Sequence, residues 1–396
     1  MLTVDTVDTA ARQRLIQGAN HWWFLGPGGT AKVQPQHLDG AGGLTASAEA
    51  HLRKAGLFDI KAFQIYSLTV LTSTDCNLGC GYCFQNTAQD SSGGNRPPRI
   101  QHARLTSQTI DRVLEFTGRQ MAEANLERLG VMLFGGEPLL NLKSCKELLT
   151  RAADYGMRSA QMISNGVLLT PLVARELGDR GLRSIQVTFD GDQADHDAIR
   201  VRRSGGGTFE AIVDNLARCQ QASSVRFDLR VNVSHHTRAG VRQLIERLAG
   251  RLDPSRCSLH FSRVGDVGVG YSNELLHSGQ LAAEFISWNR LAFELGFGIS
   301  KPGPLAACQA CSYKDGRYGA VVNADGTLYS CWESSGKPGW EVGSLEHGYL
   351  AGEHTEGRWV TCQDDAQYSD DAAALVAFQD AVDAAVLDDL SAAGRL

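Results

Sequence analysis

Apolar residues in the middle of this chain come in short bursts separated by longer amphipathic stretches. The bursts are Tyr66 to Thr72 (YSLTVLT), Val131 to Pro138 (VMLFGGEP), a run closing at Met162 to Gly166 (MISNG), Ser184 to Gly191 (SIQVTFDG), Val225 to Val233 (VRFDLRVNV) and Cys257 to Val264 (CSLHFSRV). Their β-branched content, their length and the polar or glycine residues at their ends predict strands. Between them, helical periodicity predicts helices at Ser107 to Ala124, Leu142 to Tyr155, Pro171 to Gly181, Thr208 to Gln221 and Arg238 to Leu252. Parallel neighbours need a long crossover and a helix supplies it, so this alternation argues for an α/β fold with right-handed crossovers.

The flanks follow other patterns. Residues 1–65 hold helical pieces, including Ala46 to Ala55, and the apolar stretch His21-Trp22-Trp23-Phe24, with Trp22 and Trp23 read as core. They fit a small winged-helix-like unit or a shorter extension packed on the body. Residues 86–105 are polar and rich in glycine and proline, which predicts a mobile loop over the cysteine-rich segment that precedes them. Residues 274–297 predict a long bridging helix. Gly319 to Asn323 and Thr327 to Trp332 predict two strands joined by Ala324-Asp325-Gly326, a strong hairpin turn. In the tail from Asp370 to Leu390, Leu375, Phe378, Val382, Val386 and Leu390 share one helical face with aspartates opposite. The expected divisions are 1–65 (N-terminal extension), 66–270 (α/β body), 271–305 (bridging helix) and 306–396 (C-terminal module).

A chain of 396 residues, 43% hydrophobic, can bury one large core and one smaller one. Its net charge of −6 and pI near 6.0 argue against a general nucleic-acid binder. No apolar run reaches membrane-spanning length and the N-terminus lacks the pattern of a signal peptide, so a cytoplasmic protein is expected. In that compartment the ten cysteines should be reduced. Clustered ones then read as metal ligands, whereas Cys145, Cys219 and Cys257 read as small packing residues.

The candidate chemistry sits at the strand tips. Cys76, Cys80 and Cys83 (DCNLGCGYC) follow the first predicted strand, and three thiolates leave one iron of a [4Fe–4S] cluster open to a ligand. A structural zinc site with a distant fourth ligand is the alternative. Gly135, Gly136 and Glu137 end the second strand, where glycines let backbone approach a ligand closely. Ser164, Asn165, Asp190 and Asn232 lie at later tips, and each equally suits a residue capping the next helix. Asp190 and Asp197 suit substrate binding or turn capping. Beyond the body, Cys308, Cys311, Cys331 and Cys362 make a complete four-thiolate set for one closed cluster, or a zinc ribbon.

CxxxCxxC followed roughly fifty residues later by GGEP resembles the signature of radical S-adenosylmethionine (SAM) enzymes. That resemblance implies an open (β/α)6 partial TIM barrel in which Cys76, Cys80 and Cys83 hold a [4Fe–4S] cluster whose fourth iron is chelated by SAM. It implies that Tyr82 contacts the adenine and that Gly135, Gly136 and Glu137 bind the SAM amino group. Ser164 and Asn165 would lie near the ribose and methionine moiety, Arg200 would pair with the SAM carboxylate, and Asn232 would hydrogen-bond SAM. The Gly326-x4-Cys331 spacing resembles the SPASM and Twitch extensions of that family. It implies one auxiliary [4Fe–4S] cluster on Cys308, Cys311, Cys331 and Cys362 in a small C-terminal β-hairpin and helix domain. Past Cys331 only Cys362 remains, so a second auxiliary cluster lacks ligands.

The implied activity is reductive cleavage of SAM to methionine and a 5′-deoxyadenosyl radical that abstracts a substrate hydrogen. QVTFDG, HDAIR and TFEAIVDNL are similar to the peptide maturases of the SPASM group. They imply crosslinking or oxidation of a ribosomally made precursor peptide, with Asp190 a candidate on the substrate side. An electron donor, a reductase or a flavodoxin or ferredoxin, is the second implied partner, and residues 1–65 are the place for a truncated leader-peptide-binding domain. A dehydrogenase of a small alcohol such as an aminocyclitol, a sulfatase-maturing enzyme and a non-catalytic electron carrier are the competing readings.

Overall fold

The structure is a computed structural model that describes residues 13–60, 63–88, 97–265, 273–304, 315–359 and 372–396. Cys308, Cys311 and Cys362 lie outside the described residues. The chain starts with β1 (Arg14–Gln17), β2 (Trp22–Gly26) and β3 (Gly29–Val33), an antiparallel sheet, followed by α1 (Ala46–Lys54). The body follows as β4 (Tyr66–Ser73), α2 (Ser107–Glu123), β5 (Leu129–Gly135), α3 (Leu142–Ala152), β6 (Met157–Ser164) and α4 (Pro171–Gly178). It continues with β7 (Leu182–Phe189), α5 (Gln193–Ile199), α6 (Phe209–Ala222), β8 (Arg226–Val233), α7 (Val241–Arg251) and β9 (Cys257–Arg263). Last come α8 (Gly279–Glu294), β10 (Gly298–Ile299), β11 (Gly319–Val322), β12 (Thr327–Tyr329), β13 (Glu341–Ser344), β14 (Gly348–Tyr349) and α9 (Ala372–Ala392).

The expected α/β alternation is present, and β4 to β9 pair in parallel. Helices begin where side chains can satisfy the first free backbone N–H groups: Thr106, Thr170 and Ser278 accept from Thr109, Val173 and Leu281. Pro171 at the first position of α4 has no N–H to satisfy. Alternate strand residues point to opposite faces. Leu68, Val70, Val131, Leu133, Val187 and Leu229 therefore face the helices and pack with Ile110, Leu148, Ile212 and Leu244. Each such side chain contributes about 1.5–3 kcal/mol when fully buried. Cys145, Cys219 and Cys257 are fully buried in this layer, as packing residues should be.

Two features were not expected. The sheet runs β10-β9-β8-β7-β6-β5-β4-β11-β12-β13-β14, so the C-terminal hairpin is stitched onto the body. β11 lies parallel to β4, with Ala320 opposite Leu68 and Val322 opposite Val70, while β11 and β12 form the expected antiparallel hairpin. The strand that leads into the three-cysteine loop and the strand pair that leads to Cys331 are thus sheet neighbours.

The N-terminal extension differs from the winged-helix-like expectation. Its described residues form a three-stranded sheet, a 3-10 turn at Pro35–His37 and a single α-helix, because the apolar Trp22–Leu25 run pairs as a strand on both sides. Trp23, Leu25 and Ile16 bury against Ala384 and Leu387 of α9, which makes Trp23 core as read. The aspartates of α9 are not a solvent face. Asp380 and Asp383 clasp Arg14 at 2.5 and 2.6 Å, and Asp388 accepts from Trp23 Nε1 at 2.8 Å. The N-terminal sheet occupies the side of the helix that periodicity alone assigned to water.

Candidate active site

Six parallel strands put their C-terminal ends on one edge of the body, where this architecture carries its chemistry. The loop from Asp75 to Phe84 leaves β4 at that edge and carries Cys76, Cys80 and Cys83. It is shaped from within and without. Leu78 N–H donates to Cys76 Sγ at 3.4 Å, Arg99 donates to Cys83 Sγ at 3.6 Å, and Asn165 Nδ2 reaches Cys76 Sγ at 3.7 Å. Arg203 Nε holds the Leu78 carbonyl at 3.2 Å. Burial pushes the Cys80 thiol up to about 12 and raises the Cys76 thiol. Thiolates in such surroundings need a cationic partner, which an iron centre supplies.

The glycines of the GGE segment serve a closer neighbour than a ligand. Gly135 has φ +143, and a Cβ there would stand 2.1 Å from the Ser73 carbonyl oxygen. A Cβ on Gly136 would stand 2.3 Å from the Asp75 carbonyl oxygen. Gly136 and Glu137 N–H groups donate to those two carbonyls, each at 2.8 Å. The glycines let the tip of β5 press against the start of the cysteine loop.

Glu137 is fully buried, and its carboxylate is engaged by protein donors. Oε1 accepts from Leu139 N–H and Ser164 Oγ, both at 3.0 Å, and Oε2 accepts from Asn165 N–H at 2.8 Å. Burial raises its pKa while these bonds oppose the rise. The side chain pins the tip of β6 beside the cysteine loop. Asn165 extends the tie by donating to Asn77 Oδ1 at 2.8 Å.

Across the mouth, four candidate residues meet. Tyr82 Oη donates to Asp190 Oδ2 at 2.8 Å and accepts from Arg200 Nη1 at 2.9 Å and Asn232 Nδ2 at 3.0 Å. Arg200 also pairs with Asp190 at 3.5 Å. Burial, followed by the charge on Asp190, lifts the Tyr82 phenol well above its usual range, so it stays a donor. Burial also raises Asp190, against the pull of Arg200. Asp197 is a capping residue: its Oδ1 takes Thr208 N–H at 2.6 Å and Phe209 N–H at 2.9 Å at the start of α6.

The structure brings together Cys76, Cys80 and Cys83 with Tyr82, Gly135, Gly136, Glu137, Ser164, Asn165, Asp190, Arg200 and Asn232. Cys331 is buried just beyond β12. Sequence reasoning missed Arg99, which lies in the stretch read as a mobile loop, although Pro97-Pro98 ahead of it signals a stiff segment. It also missed an aromatic wall. Phe84 stacks on Phe134 at 6.1 Å between ring centroids, and Phe134 meets Trp332 at 5.4 Å, alongside Leu71, Met132 and Ile163. The third residue missed lies on β8, where Arg230 donates to Asn232 Oδ1 at 2.8 Å and Ser262 Oγ at 2.7 Å. Strand alternation from Asn232 would have found it.

Three thiol groups thus lie on one loop at the mouth of an α/β barrel, faced by a buried arginine, although no three of the described His, Cys, Asp or Glu side chains are already gathered around a metal position. Arg200 Nε is buried with no hydrogen-bond partner among the described residues, a donor left for an incoming acceptor. Comparison agrees: residues 70–248 match the radical SAM superfamily, and the chain carries a radical SAM domain, which works with a [4Fe–4S] cluster and SAM. The mycofactocin maturase of Mycolicibacterium smegmatis is 28% identical over 273 residues, 65% of this chain and 61% of that protein. The PqqA peptide cyclase of Bradyrhizobium diazoefficiens is 34% identical over 116 residues, 29% of this chain and 26% of that protein. The matches thus span less than two thirds of these relatives. Among solved structures, anSMEcpe with bound AdoMet has a TM-score of 0.60 at 15% identity, covering 83% of this chain and 96% of that one. It shares the fold. Among the described residues no helix is long and apolar enough to cross a membrane.

Proposed function

We propose that this protein is a radical SAM maturase that crosslinks or oxidises a ribosomally made precursor peptide. The observation that carries the reading is the three-cysteine loop clamped between Glu137's strand tip and the Tyr82, Asp190, Arg200 and Asn232 cluster. The relatives named as a maturase and a peptide cyclase support the peptide as substrate.

In this reading Cys76, Cys80 and Cys83 hold the [4Fe–4S] cluster. When bound, cluster and SAM together supply reductive cleavage to methionine and a 5′-deoxyadenosyl radical that takes a hydrogen from the peptide. The chain's own residues do the rest. Arg200 offers its guanidinium to the SAM carboxylate, with Asp190 and Tyr82 fixing its plane. Gly135 and Gly136 let the tip of β5 close on the cysteine loop, and the β6 tip pinned by Glu137, with Ser164 and Asn165, borders the amino group and ribose. Asn232 and Tyr82 border the adenine side. Phe84, Phe134 and Trp332 pack together as an apolar cluster beside the cysteine loop. Cys331, together with Cys308, Cys311 and Cys362, would hold one auxiliary [4Fe–4S] cluster, which would supply a place for an electron from the substrate. The N-terminal sheet and α1 are the candidate dock for a leader peptide.

The test is anaerobic reconstitution followed by chemical reduction with SAM present, alone and with a precursor peptide encoded beside the gene. Release of 5′-deoxyadenosine and a peptide lighter by two hydrogens are expected. Stoichiometric zinc in place of iron would overturn the cluster assignments, and an unmodified peptide despite 5′-deoxyadenosine release would move the substrate to a small molecule.

A further inference from the structure

Deeper in the barrel than the Tyr82 cluster, β8 and β9 carry further polar groups. Leu259 and Phe261 of β9 turn toward the helices, Leu259 in the main core and Phe261 against Phe285 and Trp288 of α8. Alternation therefore sends Ser258, His260 and Ser262 to the other face, the one on which β8 places Asp228, Arg230 and Asn232. The register sets them side by side: Asn232 beside Ser262, Arg230 beside His260, and Asp228 beside Ser258. Asn232 grips the Tyr82 hydroxyl, so His260 stands two residues further down the strands than the proposed seat of SAM.

The charged groups of this face differ in what they already do. Asp190 is taken by Tyr82 and Arg200. Asp228 Oδ1 accepts from Ser258 Oγ at 2.5 Å, and Arg230 bridges Asn232 and Ser262. The partly buried His260 ring makes no hydrogen bond among the described residues. Burial and then Arg230 push its pKa down to about 4, against the pull of Asp228, so at neutral pH the ring is uncharged and one nitrogen keeps its lone pair.

A proton acceptor is what the proposed reaction still lacks. A peptide lighter by two hydrogens has broken two bonds to hydrogen and made one new bond. One hydrogen leaves as an atom, from carbon to the 5′-deoxyadenosyl radical. The other must leave as an electron and a proton, and the proton needs a base within hydrogen-bond reach.

Resting on the peptide-oxidising reading above, we propose that His260 is the base that takes this proton from the substrate radical. The radical gives one electron to an iron–sulfur oxidant, the auxiliary cluster of that reading, which is reduced by one electron. The second bond to hydrogen then breaks heterolytically: its electron pair stays with the peptide to complete the new bond, and its proton goes to the imidazole. A substrate cation is a strong acid, so a weakly basic ring suffices, and the imidazolium sheds its proton readily to solvent afterwards.

The experiment measures 5′-deoxyadenosine released per modified peptide in reconstituted full-length enzyme. His260→Gln should raise that ratio by about tenfold or more over wild type, because a radical that cannot lose its proton decays by regaining a hydrogen atom. His260→Ala should do the same, and added imidazole should bring its ratio back to within about threefold of wild type. An unchanged ratio in His260→Gln overturns the proposal, as does a rise confined to Asp228→Asn. A second readout needs neither cluster nor turnover. Ring ¹⁵N NMR of the metal-free protein should show the His260 imidazole, identified by its loss in His260→Gln, neutral at pH 7 and shifted by the precursor peptide. A protonated or unmoved ring overturns the proposal. Wild type that releases 5′-deoxyadenosine yet leaves the peptide unmodified overturns instead the reading on which the proposal rests.

Discussion

Replacing Glu137 with alanine isolates what the GGE segment does. The change removes an acceptor from two buried backbone N–H groups, Leu139 and Asn165, and from the Ser164 hydroxyl. The hydroxyl can turn elsewhere, but the two amides cannot. Each stranded buried donor costs about 1–3 kcal/mol. Relief of a buried carboxylate, whose pKa burial raises, offsets part of that, which leaves a net loss of about 3 kcal/mol. With an unfolding entropy of about 2.1 cal/mol/K per residue, a 396-residue chain should then melt about 4 °C lower. Glu137→Gln should lose roughly half as much, because its amide keeps one acceptor and turns a donor toward the other N–H. The measurement is differential scanning calorimetry of the metal-free protein without SAM, where a residue serving only the ligand would have no effect. A melting temperature for Glu137→Ala within about 1 °C of wild type would refute the assignment of this side chain to the tip of β6.

Other expectations follow from the same contacts. Gly135→Ala should destabilise the protein by more than about 2 kcal/mol, since the new Cβ meets the Ser73 carbonyl at 2.1 Å and φ +143 strains any side chain; thermal melting and iron content should fall together. Arg14→Ala leaves Asp380 and Asp383 without their cation, at a cost of about 3 kcal/mol, and should expose residues 13–60 to limited proteolysis while the barrel stays resistant. Burial, helped by the charge on Arg230, holds the His260 imidazole down at about 4 in the folded chain. The unfolded chain takes that proton near pH 6.5, so stability present above that pH is lost as pH falls toward about 4, by about 3 kcal/mol. His260→Gln should remove this part of the acid sensitivity in melting curves taken across the window. Changing Cys76, Cys80 and Cys83 together to alanine should about halve the iron of reconstituted enzyme, read by colorimetric assay.

The barrel was legible because its strands are bounded by turn residues and its helices by caps such as Thr106 and Thr170, all of them local signals. The pairing of β11 with β4 was not. It joins residues 319–322 to residues 67–70, and nothing in the short GAVV run distinguishes one parallel partner from another. The candidate site was legible as a set of residue types, since cysteine spacing and strand-tip polarity are carried by sequence. The division of labour within it was not. GGE reads as a ligand cradle, yet the glycines are required by the Ser73 and Asp75 carbonyls and the glutamate by the β6 tip. Tyr82 reads as an adenine contact, while its hydroxyl is the meeting point of Asp190, Arg200 and Asn232. These are partners from distant segments, which periodicity does not address.

Tyr82 works as a keystone. It belongs to the same loop as the three cysteines, yet the groups gripping its hydroxyl come from the far abutment of the arch, beyond β7 and on β8. Setting that stone shapes both sides at once, so loosening any of the three gripping groups should slacken the cysteine loop as well as the far abutment.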